Sequence, residues 1–152
     1  MGSREKVVGF LAVSGVPYEL RDFDESTKNS ALAALALGCT VAEIAKSVVF
    51  AGERTGVVIL SGDKRVNTLK VAHLLGGEAR IATPEEVRER TGYPIGGVPP
   101  FPHLAGVRVM ADSSLNRFSH VWAAAGTPNS VFKIGTADLL RLLGAGPFDL
   151  AE

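Results

Sequence analysis

The chain has 152 residues, 46% of them hydrophobic, and its 16 lysine and arginine residues balance 16 aspartate and glutamate residues. This length and composition suit one domain with its own core, which we expect over residues 1–152. The balanced charge excludes a strong overall positive field for a long nucleic-acid backbone, so any RNA contact is expected to be local. No apolar run approaches a membrane span and no leader pattern is present, so we expect a cytoplasmic protein without a membrane partner.

The first half of the sequence predicts helices and strands in alternation. Apolar residues at helical spacing from Arg4 predict a helix that Gly15 and Pro17 end. An alanine- and leucine-rich run from Ser30 to Gly38 predicts a buried helix. The other elements expected here are a strand at 18–23, a polar turn at 22–29, a short helix from the cap Thr40 to Lys46, and adjacent strands at 47–51 and 56–61 joined by a hairpin connection.

The second half begins with a helix that Asn67 caps, with Lys70 and His73 on its polar side. A capping pattern at Thr83 predicts another helix, which ends near Gly92. Residues 92–103 contain three glycines and four prolines, which excludes a helix or a central strand and predicts a loop. The other expected elements are strands at 79–81, 107–111, 120–124 and 130–134, a helical turn at 113–118, and a last helix from the cap Thr136 through Leu143.

These elements predict the fold class. Six or seven strands are mixed with helices, but strand and helix do not alternate regularly as they do in a doubly wound parallel sheet. We therefore expect an α+β fold in which a curved mixed β-sheet or partial barrel is flanked by helices.

Most familiar catalytic patterns are absent from the sequence. It contains no phosphate-binding P-loop, dinucleotide-binding glycine motif or zinc-binding HExxH helix. His73, His103 and His120 lie far apart along the chain, and there is one cysteine, so we expect no metal site and no cofactor. Cys39 follows an apolar run and is interpreted as a small hydrophobic residue, not as a nucleophile.

The loop around Gly96 and Gly97 is the first candidate for chemistry. Two adjacent glycines let the backbone approach a ligand closely, and the prolines after them stiffen the turn. Backbone N–H groups held in such a loop can donate to a carbonyl oxygen that becomes an oxyanion. A tight structural turn explains the same residues equally well.

Lys46 is the second candidate. It is an isolated cation at the predicted junction between a short helix and an apolar strand. A lysine in this position is usually a surface residue, but beside a pocket its ammonium group suits a phosphate oxygen.

Three segments together resemble the YbaK/EbsC family, the prolyl-tRNA-synthetase-associated domains. They are residues 44–50 (IAKSVVF), residues 70–76 (KVAHLLG) and residues 91–100 (TGYPIGGVPP), in this order and spacing. The resemblance extends from the first helix to Leu143. It implies a YbaK-like mixed-sheet fold with a pocket for the aminoacylated terminal adenosine of tRNA, in which the ester bond is hydrolysed.

The resemblance also implies roles for individual residues. Gly96, four residues before Pro100, is expected to orient the ester carbonyl, and Gly97 flanks it. Lys46 is expected to hold the tRNA end, while a hydroxyl of the terminal ribose helps to activate water. Tyr93 and Pro100 belong to the same loop and are expected to contribute to substrate binding.

The sequence departs from the family pattern in two places. Gly126 to Asn129 (GTPN) stands where many members have a Gly-Lys-Arg-Gly turn, so two basic residues are lost from a turn that we expect to contact substrate. The loop continues with bulky residues, and we expect His103 at the pocket entrance. These departures leave the identity of the substrate open.

The favoured hypothesis is an aminoacyl-tRNA deacylase that acts in trans on the charged 3′ end of tRNA. The alternatives are a non-catalytic module that binds tRNA ends, and a domain that binds a nucleotide or another small anion. Cysteinyl, alanyl and prolyl groups all remain open as substrates. The sequence also leaves open the oligomeric state and whether an aminoacyl-tRNA synthetase acts alongside.

Overall fold

A computed structural model describes residues 2–24 and 29–152. Within these ranges the chain forms seven strands, five α-helices and two short 3₁₀ helices. In chain order they are α1 (Ser3–Ser14), β1 (Tyr18–Asp22), α2 (Ser30–Leu37), a 3₁₀ helix (Val41–Glu43), β2 (Ile44–Gly52), β3 (Thr55–Ser61), α3 (Thr68–Leu75), β4 (Ala79–Ile81), α4 (Pro84–Thr91), β5 (Val107–Ala111), a second 3₁₀ helix (Ser113–Arg117), β6 (His120–Ala124), β7 (Ser130–Gly135) and α5 (Thr136–Leu143).

The strands form one open, mixed sheet. Its order is β1-β7-β6-β2-β3-β5, and the short β4 pairs with the far end of β2. The pairs β2–β6 and β3–β5 are parallel, whereas the other pairs are antiparallel. The expected α+β fold with a mixed sheet of six to seven strands and flanking helices is confirmed.

Local capping explains several helix boundaries as predicted. The Asn67 side chain accepts a hydrogen bond from the amide of Lys70 at the start of α3. At the start of α4, Thr83 and Glu86 form a reciprocal capping box. No helix in the described ranges is both long and apolar enough to cross a membrane.

The predicted short helix from Thr40 to Lys46 is wrong in its second half. The capping box of Thr40 and Glu43 is present, but the 3₁₀ helix ends at Glu43 and β2 begins with Ile44. The sheet determines this boundary, because Ala45 pairs with strands on both sides of it. Lys46 therefore lies within a strand, not at a helix end.

Two further expectations are corrected. Helix α2 is not buried as a whole, since Leu32 is 41% and Leu35 80% exposed, whereas Ala33 and Ala34 are buried. Its small residues face the sheet and let the helix approach closely, which leaves the leucines outside. The cap of α5 is Gly135, not Thr136, whose hydroxyl donates to the carbonyl of Phe118 at 2.7 Å. Part of the polar turn expected at 22–29 lies outside the described residues.

The main core fixes the glycine- and proline-rich loop against the sheet and α1. Phe101 from this loop stacks on Phe10 of α1, with 4.7 Å between ring centroids, and also contacts Phe132 of β7. Phe132 is fully buried and Phe101 nearly so. Burying each ring is worth about 1.5–3 kcal/mol, so the loop is held in place by the core itself.

Candidate active site

A cavity of about 600 Å³ opens beside β2. It lies between α2, the middle of β2, the end of β6 and the loop that contains Gly96. Its lining is mainly apolar, with Ile44, Ala123 and Val131 among the residues that form it. Within the described part of the chain, the lining contains Lys46 as its cation and no carboxylate.

The cavity exists because β2 has two different neighbours along one edge. It pairs with β6 only at Ile44 and Ala45, and with β4 only from Phe50 to Gly52. Between these pairings, Lys46 to Val49 have no strand partner on that edge within residues 2–24 and 29–152. The sheet is therefore split at this point, and the cavity occupies the split.

Gly96 lies at this cavity in a tight turn. The amide of Gly97 donates to the carbonyl of Pro94 at 2.9 Å, and Gly96 has a φ of 81°. These are the features of a type II turn, in which the third residue must adopt positive φ and is therefore usually glycine. Among the described residues, the Gly96 amide has no hydrogen-bond acceptor, so it is free to donate to a ligand.

Gly97 serves the packing of the loop. Its amide is engaged in the turn, and it is not among the residues that line the cavity. A Cβ at this position would lie 2.8 Å from the Cα of Thr127. Gly97 therefore lets the two loops pack against each other, and Gly96 is the glycine of the pair whose amide has no acceptor among the described residues.

Three contacts hold the loop in place. The Ser47 hydroxyl, from the unpaired part of β2, donates to the carbonyl of Val98 at 2.8 Å. The buried Tyr93 donates through its hydroxyl to the carbonyl of Pro102 at 2.7 Å. Together with the stacking of Phe101, these contacts fix the position of the free amide before any ligand binds.

Lys46 is half-buried at the wall of the cavity. Its ammonium group donates to the carbonyl of Gly62 at 3.3 Å and to that of Lys64. Burial lowers the pKa of Lys46 and the charge of Arg65 adds to this, whereas the charge of Asp63 opposes it. An ammonium group has three donors, so among the described residues one donor is left for a ligand.

His103 and Pro100 lie in the base of the loop, and neither is among the cavity-lining residues. The Nε2 atom of His103 lies 2.7 Å from the carbonyl oxygen of Pro99, and its ring packs edge-on against Tyr93. Its buried Nδ1 atom has no partner in the described ranges. Burial lowers the pKa of His103 and the Pro99 contact opposes this, so a neutral ring that donates from Nε2 fits the site.

The titration of His103 predicts a pH-dependent stability. Because its pKa is lowered in the folded protein, the unfolded chain binds the proton first on acidification. The stability from the neutral ring is present above about pH 6.5 and is lost as the pH falls through the folded-state pKa. The urea midpoint of the wild type should therefore fall more between about pH 7.5 and about pH 5 than that of His103→Gln, which keeps a donor for Pro99. An equal fall in both proteins would contradict this role, and the exposed His73→Gln is the control.

Gly126 and Asn129 contact segments near the N-terminal end of the described chain. A Cβ on Gly126 would lie 2.5 Å from the carbonyl oxygen of Ser3, so this glycine permits close contact with α1. The Asn129 side-chain amide donates to the carbonyl of Phe23 at 2.9 Å. Neither residue lines the cavity.

Of the eight residues singled out from the sequence, the structure brings two together at the cavity, Lys46 and Gly96. The other six pack behind the loop or beside it. Ser47, Trp122 and Ala124 also line the cavity, and sequence reasoning missed them. The polar Ser47 within an apolar strand was the only available signal for this group.

Other chemistry has little support in the described residues. They contain no group of three or more histidine, cysteine, aspartate or glutamate residues that could hold a metal ion. Cys39 is partly buried and does not line the cavity. Burial raises the pKa of its thiol, with a further contribution from Glu43, and this disfavours the nucleophilic thiolate.

Residues 24–142 match the aminoacyl-tRNA editing domain family. The chain belongs to this family. The resemblance found in the sequence is thereby confirmed. The cavity beside β2 lies within the matched residues, in a domain of the aminoacyl-tRNA editing family.

Relatives of this editing domain are similar over most of its length. An uncharacterized protein of Bacillus subtilis, YwhH, is 35% identical over 80% of this chain and 78% of its own. The multifunctional Ser/Thr-tRNA deacylase ProXp-y of Escherichia coli is 27% identical over 92% of this chain and 87% of its own. A crystal structure of a protein proposed as a trans-editing enzyme for prolyl tRNA synthetase superposes with a TM-score of 0.89, at 40% identity over 100% of this chain and 98% of that one.

Proposed function

We propose that this editing domain is a trans-acting deacylase, which hydrolyses the ester bond of mischarged tRNA in the cavity beside β2. The observation that carries the proposal is the amide of Gly96, which has no acceptor among the described residues and is held in a tight turn at the wall of a cavity that Lys46 also lines. The substrate is the aminoacylated 3′ end of tRNA, and no cofactor takes part.

The Gly96 amide is the donor for the reacting carbonyl. A water molecule attacks the ester carbon, and the negative charge that develops on the carbonyl oxygen is stabilised by this N–H group. The bond from the carbonyl carbon to the ribose oxygen then breaks, and the ribose oxygen takes up a proton. A neighbouring ribose hydroxyl helps to activate the water, which is consistent with a lining that has no carboxylate or histidine among the described residues.

Lys46 binds a phosphate oxygen at the tRNA end. Two of its donors are held by backbone carbonyls, which fixes the direction of the ammonium group, and the third has no partner in the part of the chain that the structure describes. A cation that is partly buried binds an anion more strongly than a solvated surface cation does, because solvent screens the pair less.

We expect Lys46→Ala to raise the Kd for the tRNA end by about 10-fold or more, the range for a lost charged hydrogen bond. Folding should be less affected, because Lys46 contributes a charge and not a core side chain. The measurement is binding of uncharged tRNA, with thermal unfolding as a parallel assay. The matched control is Lys70→Ala, which also removes a partly exposed lysine that donates to a backbone carbonyl; Lys70 pairs with Asp149 as well and does not line the cavity. Unchanged affinity and activity in Lys46→Ala would make Lys46 a surface residue.

The relatives support the finer parts of the proposal. The Escherichia coli relative bears the name of a Ser/Thr-tRNA deacylase, and the similar crystal structure has been proposed to act in trans for prolyl tRNA synthetase. The first name favours hydrolysis of a small aminoacyl group, and the second favours action in trans. The candidate protein partner is an aminoacyl-tRNA synthetase that binds the same tRNA.

The experiment that tests this function is a screen of charged tRNAs free of synthetase. Seryl-, threonyl-, alanyl-, cysteinyl- and prolyl-tRNA are each incubated with the protein, and release of the amino acid is followed against spontaneous hydrolysis. We expect release to be accelerated for at least one small aminoacyl group. If none of these five charged tRNAs is cleaved faster than in buffer, the proposed activity is wrong.

A further inference from the structure

Among the residues that the structure describes, the split beside β2 leaves backbone groups without partners inside the cavity. The amide of Gly62 donates to the carbonyl of Ile44 at 2.8 Å, so Ile44 directs its backbone groups toward β3. Val49 accepts from the amide of Ala82 and therefore directs its carbonyl to the opposite edge. Because successive residues of an antiparallel strand alternate in this direction, the N–H and C=O groups of Ser47 point away from β3 and into the split.

The end of β6 supplies a second carbonyl. The parallel pairing of Ala45 with Ala123 engages the N–H of Ala124 but ends before Ser47. The carbonyl of Ala124 is therefore directed toward β2 where the two strands part. Ser47 and Ala124 both line the cavity and both are partly exposed.

We propose that the backbone carbonyls of Ser47 and Ala124 bind the α-amino group of the esterified amino acid. This inference rests on the proposed function and adds a subsite to it. In the described residues, the cavity lining offers no carboxylate to an amine, and the side-chain oxygen of Asn29 already accepts a hydrogen bond from Leu32, so backbone carbonyls are the unengaged strong acceptors. An aminoacyl ester carries its amine one carbon from the carbonyl, and the cavity offers acceptors at the split and a donor at Gly96.

This arrangement selects the chemical class of the acyl group. A free α-amine donates to both carbonyls, whereas an N-acylated amine has one donor left and an acyl group to accommodate. The protein should therefore act on aminoacyl-tRNA and discriminate against tRNA that carries N-acylated amino acids.

The test compares two stable analogues of the charged tRNA end. They are 3′-deoxy-3′-(L-alanylamino)adenosine and its propionylamino counterpart, which differ by the amine alone and are not hydrolysed as esters. We expect the propionylamino compound to bind about 10-fold to 100-fold more weakly, as for a lost hydrogen bond of a charged donor. Affinities equal within about twofold, or tighter binding of the propionylamino compound, would overturn the inference.

A protein variant distinguishes the contribution of the Ser47 carbonyl to amine binding from that of the Ser47 hydroxyl. Ser47→Ala keeps the carbonyl of residue 47 but removes the hydroxyl that holds Val98. The ratio of the two Kd values should stay the same in this variant, even if both affinities change. A ratio that falls to one would assign recognition to the Ser47 hydroxyl and contradict the role of the carbonyls.

A second readout uses the charged tRNA that the wild type cleaves fastest. N-acetylation of this substrate should slow enzymatic release by a larger factor than it slows alkaline hydrolysis of the same ester. Equal factors would count against the subsite. Selective binding of the alanylamino compound by a protein that releases no amino acid from any charged tRNA would refute the proposed function and leave the amine subsite standing.

Discussion

Gly96→Ala is expected to lower kcat/KM for the cleaved aminoacyl-tRNA by about 10²–10³-fold while the protein stays folded. Gly96 has a φ of 81°, a conformation that a residue with a side chain adopts only with strain. Alanine shifts the turn or reverses its central peptide, and the free amide then points away from the reacting carbonyl. The assay is steady-state hydrolysis, with thermal unfolding measured in parallel.

Gly76→Ala is the matched control for this prediction. Gly76 ends α3 with a φ of 80° and has nothing within 4 Å of an added Cβ, so the change imposes a similar backbone strain at a residue that does not line the cavity. It should lose stability but keep its activity at temperatures where it is folded. If folded Gly96→Ala hydrolyses at the wild-type rate, the loop does not act through this amide.

Gly97→Ala should have the next largest effect, for a different reason. The added methyl group would lie within 2.9 Å of the Thr127 backbone, and backbone atoms cannot move aside as the end of a side chain can. Overpacking of this kind typically costs about 1–3 kcal/mol of stability. Because the two loops must separate, the neighbouring turn at Gly96 is displaced as well, and we expect lower activity together with a lower Tm.

Gly106→Ala tests whether the close packing is responsible. Gly106 lies in the segment before β5. Its φ is not positive, and an added Cβ would meet nothing within 4 Å. This variant should unfold at nearly the wild-type Tm in the same thermal scan. An unchanged Tm in Gly97→Ala would mean that the loops separate without cost, and that Gly97 has no packing role.

Much of the fold could be predicted from the sequence because its signals are local. Asn67 and Thr83 cap helices through bonds to residues three positions away, and the hairpin of β2 and β3 follows from two apolar runs joined by a short connection. Expectations failed where distant contacts decide. The start of β2 at Ile44 is set by pairing with β3 and β6, and the exposure of Leu35 by how α2 lies on the sheet.

The candidate site was only partly predictable for the same reason. Lys46 and Gly96 were singled out from the sequence and its resemblance to a family, and both line the cavity. The split that creates the cavity depends on where β6 leaves β2, and the residues themselves carry no local signal for it. The positions of the Ser47 and Ala124 carbonyls could not be predicted from residue type, because every residue has a backbone carbonyl.

Single-turnover hydrolysis tests the central claim most directly. The charged tRNA that is cleaved fastest in the screen is mixed with excess protein, and release of the amino acid is measured for the wild type and Gly96→Ala against buffer alone. We predict rapid release by the wild type, and release by Gly96→Ala that is slower by about 10²–10³-fold at saturating protein. Binding of the charged tRNA by the wild type without any acceleration of release would contradict the account, and would make this chain a binding module instead of an enzyme.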